Sequence, residues 1–232
     1  MKTLKLEYLK LKKKTRSWLG PILVFWLIMI AYPLTVEFLQ DKLEIGFFSV
    51  LWIAILISMM LATEDIFIED YNDGTLEHII IKNSSFQFLI SMRIVMYWLM
   101  IGIPVSVLSF IFTLGTSEDL VLSLSIIPLS MISSYIFLNL FVLGNALSLN
   151  KGSLLGALVT MPLALPVLIV LGKSLISIQL GINFLEFILL LLGCLSIIII
   201  VVPIIVSVSY THLRAHETRG NLVCRVVLEK KG

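Results

Sequence analysis

Residues 184–208 read FLEFILLLLGCLSIIIIVVPIIVSV, and Glu186 is the one charged side chain among them. An α-helix needs about 20 mostly apolar residues to cross the hydrocarbon core of a bilayer, and this stretch is long enough. Within lipid, the polar groups of the backbone must be satisfied inside the segment, which favours a helix. The stretch therefore predicts a transmembrane helix.

The rest of the chain has the same apolar character. Of its 232 residues, 59% are hydrophobic and 14% are charged, and the mean hydropathy is +1.05. Soluble domains of this length carry more charge than this. The composition predicts an all-α integral membrane protein with six transmembrane helices, at residues 20–38, 45–63, 94–114, 120–148, 154–172 and 184–208.

The basic residues predict the orientation of the six spans. With the N-terminus in the cytoplasm, Lys42 and Lys173 lie on the far side of the membrane, and ten other basic residues lie on the cytoplasmic side. These ten are Lys2, Lys5, Lys10, Lys12, Lys13, Lys14, Arg16, Lys82, Arg93 and Lys151. Because Lys and Arg concentrate on the cytoplasmic side of membrane proteins, we expect the N-terminus there.

Both ends of the chain differ from the six-helix domain, which we place at residues 18–209. Residues 1–17 are rich in lysine, and Leu4, Tyr8 and Leu11 share one face of a helix. This pattern predicts an amphipathic helix on the surface of the membrane lipid, the alternative being a basic flank that only sets topology. Residues 210–232 hold three arginines and two of the three histidines. They resemble translated sequencing-adapter sequence and are interpreted as a non-native tail; the alternative is a short basic tail.

One predicted loop, residues 64–93, is long and unusually acidic. Its first part, residues 64–78, reads EDIFIEDYNDGTLEH. A turn at Gly74 would begin a short helix, and Leu76, Ile79 and Ile80 would share one of its faces. A short helix with an apolar and acidic surface predicts docking of a partner protein. The alternative is an acidic surface that is exposed to water only. This alternative does not account for the apolar residues of the loop.

Residues 1–209 carry few groups suited to catalysis or metal binding. They hold one histidine, His78, and one cysteine, Cys194, so neither a metal site nor a disulfide framework can be built within the chain. Asn139 and Asn145 are the strongly polar side chains inside the predicted spans, and no relay of charged residues follows from them. We expect no catalytic residue and no cofactor bound by this chain. Candidate helix kinks, with packing as the alternative, are Pro104, Pro162 and Pro166.

The acidic loop also carries a family resemblance. Its residues Glu64, Phe67, Asp70, Asp73, Gly74, Leu76 and Glu77, in this spacing, resemble the first cytoplasmic loop of the cytochrome c maturation protein B family, also called haem exporter protein B. The resemblance covers about residues 1–209. It continues through Gly102-x-Pro104, Gly144, Lys151-Gly152 and Pro162-x-x-x-Pro166.

This resemblance implies the permease subunit of an ATP-binding cassette complex in the bacterial inner membrane, with a role in cytochrome c maturation. The seven loop residues would dock an ATPase subunit, the family's protein A, which holds ATP and Mg. Proteins C and D of the same system are implied as further partners, and nucleic acid is not.

Haem is the implied substrate, and two mechanisms are open. Haem crosses the permease, or ATP hydrolysis releases a haem-loaded periplasmic chaperone from protein C. Other classes of function are a permease for a lipid or another amphiphile and a membrane scaffold without an ATPase.

Overall fold

The computed structural model describes residues 15–36, 43–64, 66, 86–117, 119–148, 153–181 and 183–229. Within these residues the chain forms six helices and no strand. They are α1 (Thr15–Val36), α2 (Leu43–Thr63), α3 (Phe86–Ser117), α4 (Leu120–Ser148), α5 (Ser153–Gln179) and α6 (Leu185–Glu229). Each helix contains a segment long and apolar enough to cross a membrane, which confirms the predicted fold class. The predicted surface helix before Thr15 and the predicted loop helix after Gly74 lie outside the described residues.

The third span starts earlier than the sequence predicts. We predicted residue 94, with Arg93 in the preceding loop, but α3 begins at Phe86 and includes Arg93. A charged side chain is usually a sign that an apolar span has ended. Here the helix continues through Arg93 because its guanidinium finds a hydrogen-bond acceptor inside the bundle, the carbonyl oxygen of Ile66.

The fourth helix, α4, lies at the centre of the bundle and packs against α2, α3, α5 and α6. It is rich in small residues, and small side chains allow membrane helices to approach closely. Its buried serines satisfy their hydroxyl groups locally: Ser125 Oγ donates to the carbonyl of Val121 at 2.8 Å. The buried small residues of α4 are Ser123, Ser125, Ser130, Ser133, Ser134, Gly144, Ala146 and Ser148.

Two glycines bring the backbones of α4 and α5 close together where these helices cross. A Cβ atom added to Gly156 would lie 2.7 Å from the carbonyl oxygen of Gly144, and one added to Gly144 would lie 2.6 Å from the carbonyl oxygen of Gly156. Both neighbours are backbone atoms, which cannot rotate away as a side chain can. Each position therefore needs glycine for the two helices to stay in contact.

We expect Gly156→Ala to destabilise the bundle by about 1–3 kcal/mol, the usual range for overpacking a tight contact. The matched control is Gly172→Ala on the same helix, because no atom lies within 4 Å of a Cβ added there. Unfolding of the purified protein by SDS in mixed micelles measures the difference. Equal unfolding midpoints for the two variants would contradict the close crossing.

The third helix is divided by a π-helical segment, Trp98–Gly102. The indole Nε1 of Trp98 donates to the carbonyl of Met131 at 3.2 Å and to Ser134 Oγ at 3.1 Å, both on α4. Gly102 leaves room for this indole, since a Cβ at that position would collide with it. Before the segment, Phe86–Tyr97 packs mainly against α6; after it, Ile103–Ser117 packs mainly against α4. The two parts of α3 therefore pack against different helices of the bundle.

The end of the bundle where α2 and α4 end and α3 and α5 begin is called the loop end here. At this end the ring of Tyr210 packs edge-on against the ring of Phe86, with 5.9 Å between ring centroids. Tyr210 is buried, so this first residue of the predicted tail is part of the packed bundle. The helix continues to Glu229. The non-native origin of the rest of the tail stays a prediction.

Candidate functional site at the base of the loop

The candidate docking residues lie between α2 and α3, and the structure describes one of them. Glu64 follows the last residue of α2 and is exposed. The other six, Phe67, Asp70, Asp73, Gly74, Leu76 and Glu77, lie outside the described residues, and their docking role stays a prediction. What the structure does describe is the base of the loop, where the chain leaves α2 and enters α3.

The first attachment of this base is made by α4. Asn145 Nδ2 donates to the carbonyl oxygen of Thr63 at 2.9 Å and to its Oγ1 at 3.2 Å. The two residues are 82 positions apart in the sequence. A side-chain amide that bonds to the last residue of a helix satisfies a carbonyl that the helix itself leaves open. Asn145 thus fixes the end of α2 to the central helix.

The second attachment is made by α3. Arg93 Nη1 donates to the carbonyl oxygen of Ile66 at 3.1 Å, although the two residues are 27 positions apart. Both side chains are buried, with 5% exposure for Arg93 and 4% for Ile66. Hydrogen bonds with a charged donor are roughly twice as strong as neutral ones. The loop therefore begins from a position held by two different helices.

The sixth helix completes the loop end. Ser209 Oγ donates to the carbonyl oxygen of Ala146 on α4 at 3.1 Å, one residue before the Tyr210 ring that packs on Phe86. Phe86 is the first residue of α3, so the far side of the loop base is held by ring packing. Movement of the loop at either side would therefore reach the helices directly.

The three candidate kink prolines all lie inside helices. Pro104 is partly buried and follows the π-helical segment of α3 within two residues, at a place where the helix geometry changes. Pro162 and Pro166 are exposed side chains of α5, one turn apart on the outer side of the bundle. Their role as kinks stays a prediction.

In the described part of the chain, no three His, Cys, Asp or Glu side chains come together in a way that could hold a metal ion. Cys194 is an exposed, free thiol on α6. His78 lies outside the described residues.

Sequence reasoning missed the two attachments at the loop base. Arg93 was counted only as a topology signal, yet it is the buried charged side chain among the described residues. An ionisable residue within a membrane span is by default a functional candidate, and this signal was available in the sequence. Ile66 and Thr63 gave no such signal, because their backbone carbonyls take part and these are the same in every residue.

Proteins similar to this chain share one name. The family described as CcmB protein matches residues 1–212. Heme exporter protein B of Haemophilus influenzae is 28% identical over 162 residues, which are 68% of this chain and 72% of that protein. Heme exporter protein B of Pseudomonas aeruginosa is 28% identical over 153 residues, 65% of this chain and 68% of that protein. The protein of the same name in Bradyrhizobium diazoefficiens is 26% identical over 123 residues, which are 52% of this chain and 55% of that protein.

Proposed function

This chain belongs to the CcmB protein family, and we propose that it is the permease-type membrane subunit of an ATP-driven complex that serves haem delivery in the bacterial inner membrane. The observation that carries the proposal is the family match over residues 1–212, which includes the membrane-spanning part of all six helices. The relatives named heme exporter protein B support haem as the compound that the complex serves. The chain itself catalyses no reaction in this proposal, and a separate subunit binds ATP and Mg and hydrolyses the nucleotide.

In this proposal the loop end of the bundle faces the cytoplasm. The basic residues of the N-terminal segment, together with Lys82 and Lys151, support this orientation, because such residues concentrate on the cytoplasmic side. The acidic loop is then available to an ATPase subunit, the family's protein A. Proteins C and D of the same system are the proposed membrane partners.

The base of the loop supports a role in coupling. A docking loop can transmit movement only if its ends are attached to the helices that must move. Thr63 is bonded to Asn145 of α4, and Ile66 is bonded to Arg93 of α3. A displacement of the loop by a partner would therefore be transmitted to α3 and α4, because both ends of these hydrogen bonds are held within the bundle.

We further propose that the complex uses ATP to release a haem-loaded chaperone and that haem does not cross this chain. Iron in haem is held in proteins by side chains such as His, Cys, Met or Tyr. Residues 1–209 contain one histidine, in the loop, and one cysteine, whose exposed thiol lies on α6. Within the described residues, no cluster of histidine and cysteine ligands supports a path for haem through the bundle.

Purification of the tagged chain from its own membranes in a mild detergent tests the proposed complex. We expect an ATP-binding subunit to co-purify and the preparation to hydrolyse ATP, with haem detectable by its absorbance on a partner. A preparation that contains no ATPase would contradict the proposal. A preparation with an ATPase and a bound lipid, but with no haem on any subunit, would favour an exporter of amphiphiles instead.

A further inference from the structure

Arg93 is a buried cation near the loop end of the bundle, in the first part of a helix that carries no other charged residue. It is 5% exposed, and its Nη1 donates to the carbonyl oxygen of Ile66 at 3.1 Å. Burial of a charge in a membrane span is unfavourable, and such residues are rare there unless they serve a purpose. The buried guanidinium and its bond to the loop base therefore call for an explanation.

The two attachments of the loop base are to helices of different character. Thr63 is bonded to Asn145 of α4, the central helix, which has neighbours on most sides and is poorly placed to move. Ile66 is bonded to Arg93 in the first part of α3, which packs mainly against α6. The backbone N–H of Ile66 also donates to the carbonyl oxygen of Thr63 at 3.2 Å, so the two attachment points are joined directly. Displacement of the loop base at Ile66 can therefore reach the first part of α3 through Arg93.

The π-helical segment of α3 lies one to two turns beyond Arg93. Its first residue, Trp98, is held on α4 by two hydrogen bonds from the indole nitrogen. Segments of π-helix interrupt the regular hydrogen-bond ladder and are places where helices bend. A displacement that enters α3 at Arg93 would therefore move Phe86–Tyr97 and stop at Trp98, leaving Ile103–Ser117 in place on α4.

We propose that Arg93 is a positioning residue that carries displacement of the loop base into the first part of α3, with Trp98–Gly102 as the hinge. This inference rests on the proposed function, since it assumes that a nucleotide-hydrolysing partner moves the loop. It assigns a part in the coupling step to Arg93 and to its hydrogen bond with the carbonyl group of Ile66. It also predicts which part of α3 moves and which part does not.

The test measures distances between spin labels in the full complex with its ATPase subunit, after replacement of Cys194 and Cys224 by serine. One pair, Phe88→Cys with Leu147→Cys, joins the first part of α3 to α4; both native side chains are exposed. A second pair, Val107→Cys with Leu124→Cys, joins the second part of α3 to α4 at exposed positions. We expect a non-hydrolysable ATP analogue to change the first distance by about 2 Å, the size of helix shifts in known switching proteins, and to leave the second unchanged.

In Arg93→Met we expect the first distance to stop responding to nucleotide, while the ATPase subunit still co-purifies and still hydrolyses ATP. Arg93→Lys should restore the response, because an ammonium group can donate to the same carbonyl oxygen. A purely structural role for Arg93 would lower the recovery of the complex and leave the response of the recovered molecules intact. If Arg93→Met does not accumulate in the membrane, Arg93→Leu takes its place with the same expected results, because leucine also has no hydrogen-bond donor.

The outcomes separate the inference from the proposed function. A nucleotide response in the wild type that persists unchanged in Arg93→Met would overturn the role of Arg93 and leave the permease proposal standing. An equal response of both label pairs would overturn the hinge. A wild-type chain that binds no ATPase subunit would overturn the proposed function, and the inference would fall with it.

Discussion

A chain that carries Gly74→Trp, or Asp70→Arg together with Asp73→Arg, is expected to insert into the membrane normally and to lose its ATPase subunit. The predicted loop helix begins near Gly74, where a bulky side chain would disturb the turn. Replacement of two acids by arginine would place positive charges against a partner surface that is itself expected to be basic. Loss of a paired charge at an interface costs about 2–5 kcal/mol, which is more than a tenfold loss of affinity.

The matched control for the charge reversal is Glu186→Arg. Glu186 is exposed in the first turn of α6, at the end of the bundle opposite the loop. The Glu186→Arg substitution makes the net charge more positive, as the loop charge reversal does, but it lies outside the predicted docking surface. Quantitative pull-down of the ATPase subunit by the tagged chain is the measurement. Co-purification of the subunit from the loop variants at the wild-type level would count strongly against docking at this loop.

Insertion should survive these changes because the described attachments of the loop lie outside the altered residues. Thr63 and Ile66 precede Asp70, and Phe86 follows Gly74 by 12 positions in the sequence. The hydrogen bonds from Asn145 and Arg93 to the loop base involve none of the altered positions. The prediction therefore separates docking from folding of the bundle.

The six spans could be predicted from the sequence because hydropathy alone determines which segments enter a membrane. The exact bounds of the helices could not be predicted, because a helix ends where its backbone hydrogen bonds end and not where the apolar residues end. The third span starts earlier than predicted, since Arg93 has an acceptor in Ile66. The fifth continues beyond the predicted residue 172 to Gln179, since Lys173 is exposed at its side and does not interrupt the helix.

The candidate site was only partly accessible to sequence reasoning. The acidic loop is a local pattern, and the sequence displays it directly. The attachments of its base join residues 27 and 82 positions apart, and no local pattern indicates such pairs. The π-helical segment, WLMIG, likewise has the composition of any apolar helix, and its geometry depends on the fit of Trp98 against α4.

The second large effect concerns the route of haem. In cells that express the Gly74→Trp variant, we expect the periplasmic haem chaperone to be loaded with covalent haem and to accumulate on protein C of the system. Loading precedes the ATP-dependent step if ATP drives release, so loss of the ATPase would trap the loaded chaperone. Mature c-type cytochrome should fall at least about tenfold, in line with the loss of affinity expected for the docking variants.

His78→Ala is the companion variant, because His78 is the one histidine of residues 1–209 and so the strongest nitrogen ligand available to haem iron there. If this chain transmits conformational change and does not bind haem, the variant should produce mature cytochrome at close to the wild-type level. A severe loss in His78→Ala, with the ATPase subunit still bound, would indicate contact between haem and this loop.

The covalent haem content of the chaperone, purified from the Gly74→Trp cells, distinguishes the two mechanisms. If haem must cross the permease before loading, loss of the ATPase leaves the chaperone empty, because the step that supplies its haem has stopped. If ATP drives release, the same variant leaves the chaperone loaded and bound to protein C, because only the later step has stopped. An empty chaperone would overturn the release mechanism. A loaded and trapped chaperone would exclude obligatory passage of haem through this chain, and the bundle would then act as the element that converts movement of the loop into release.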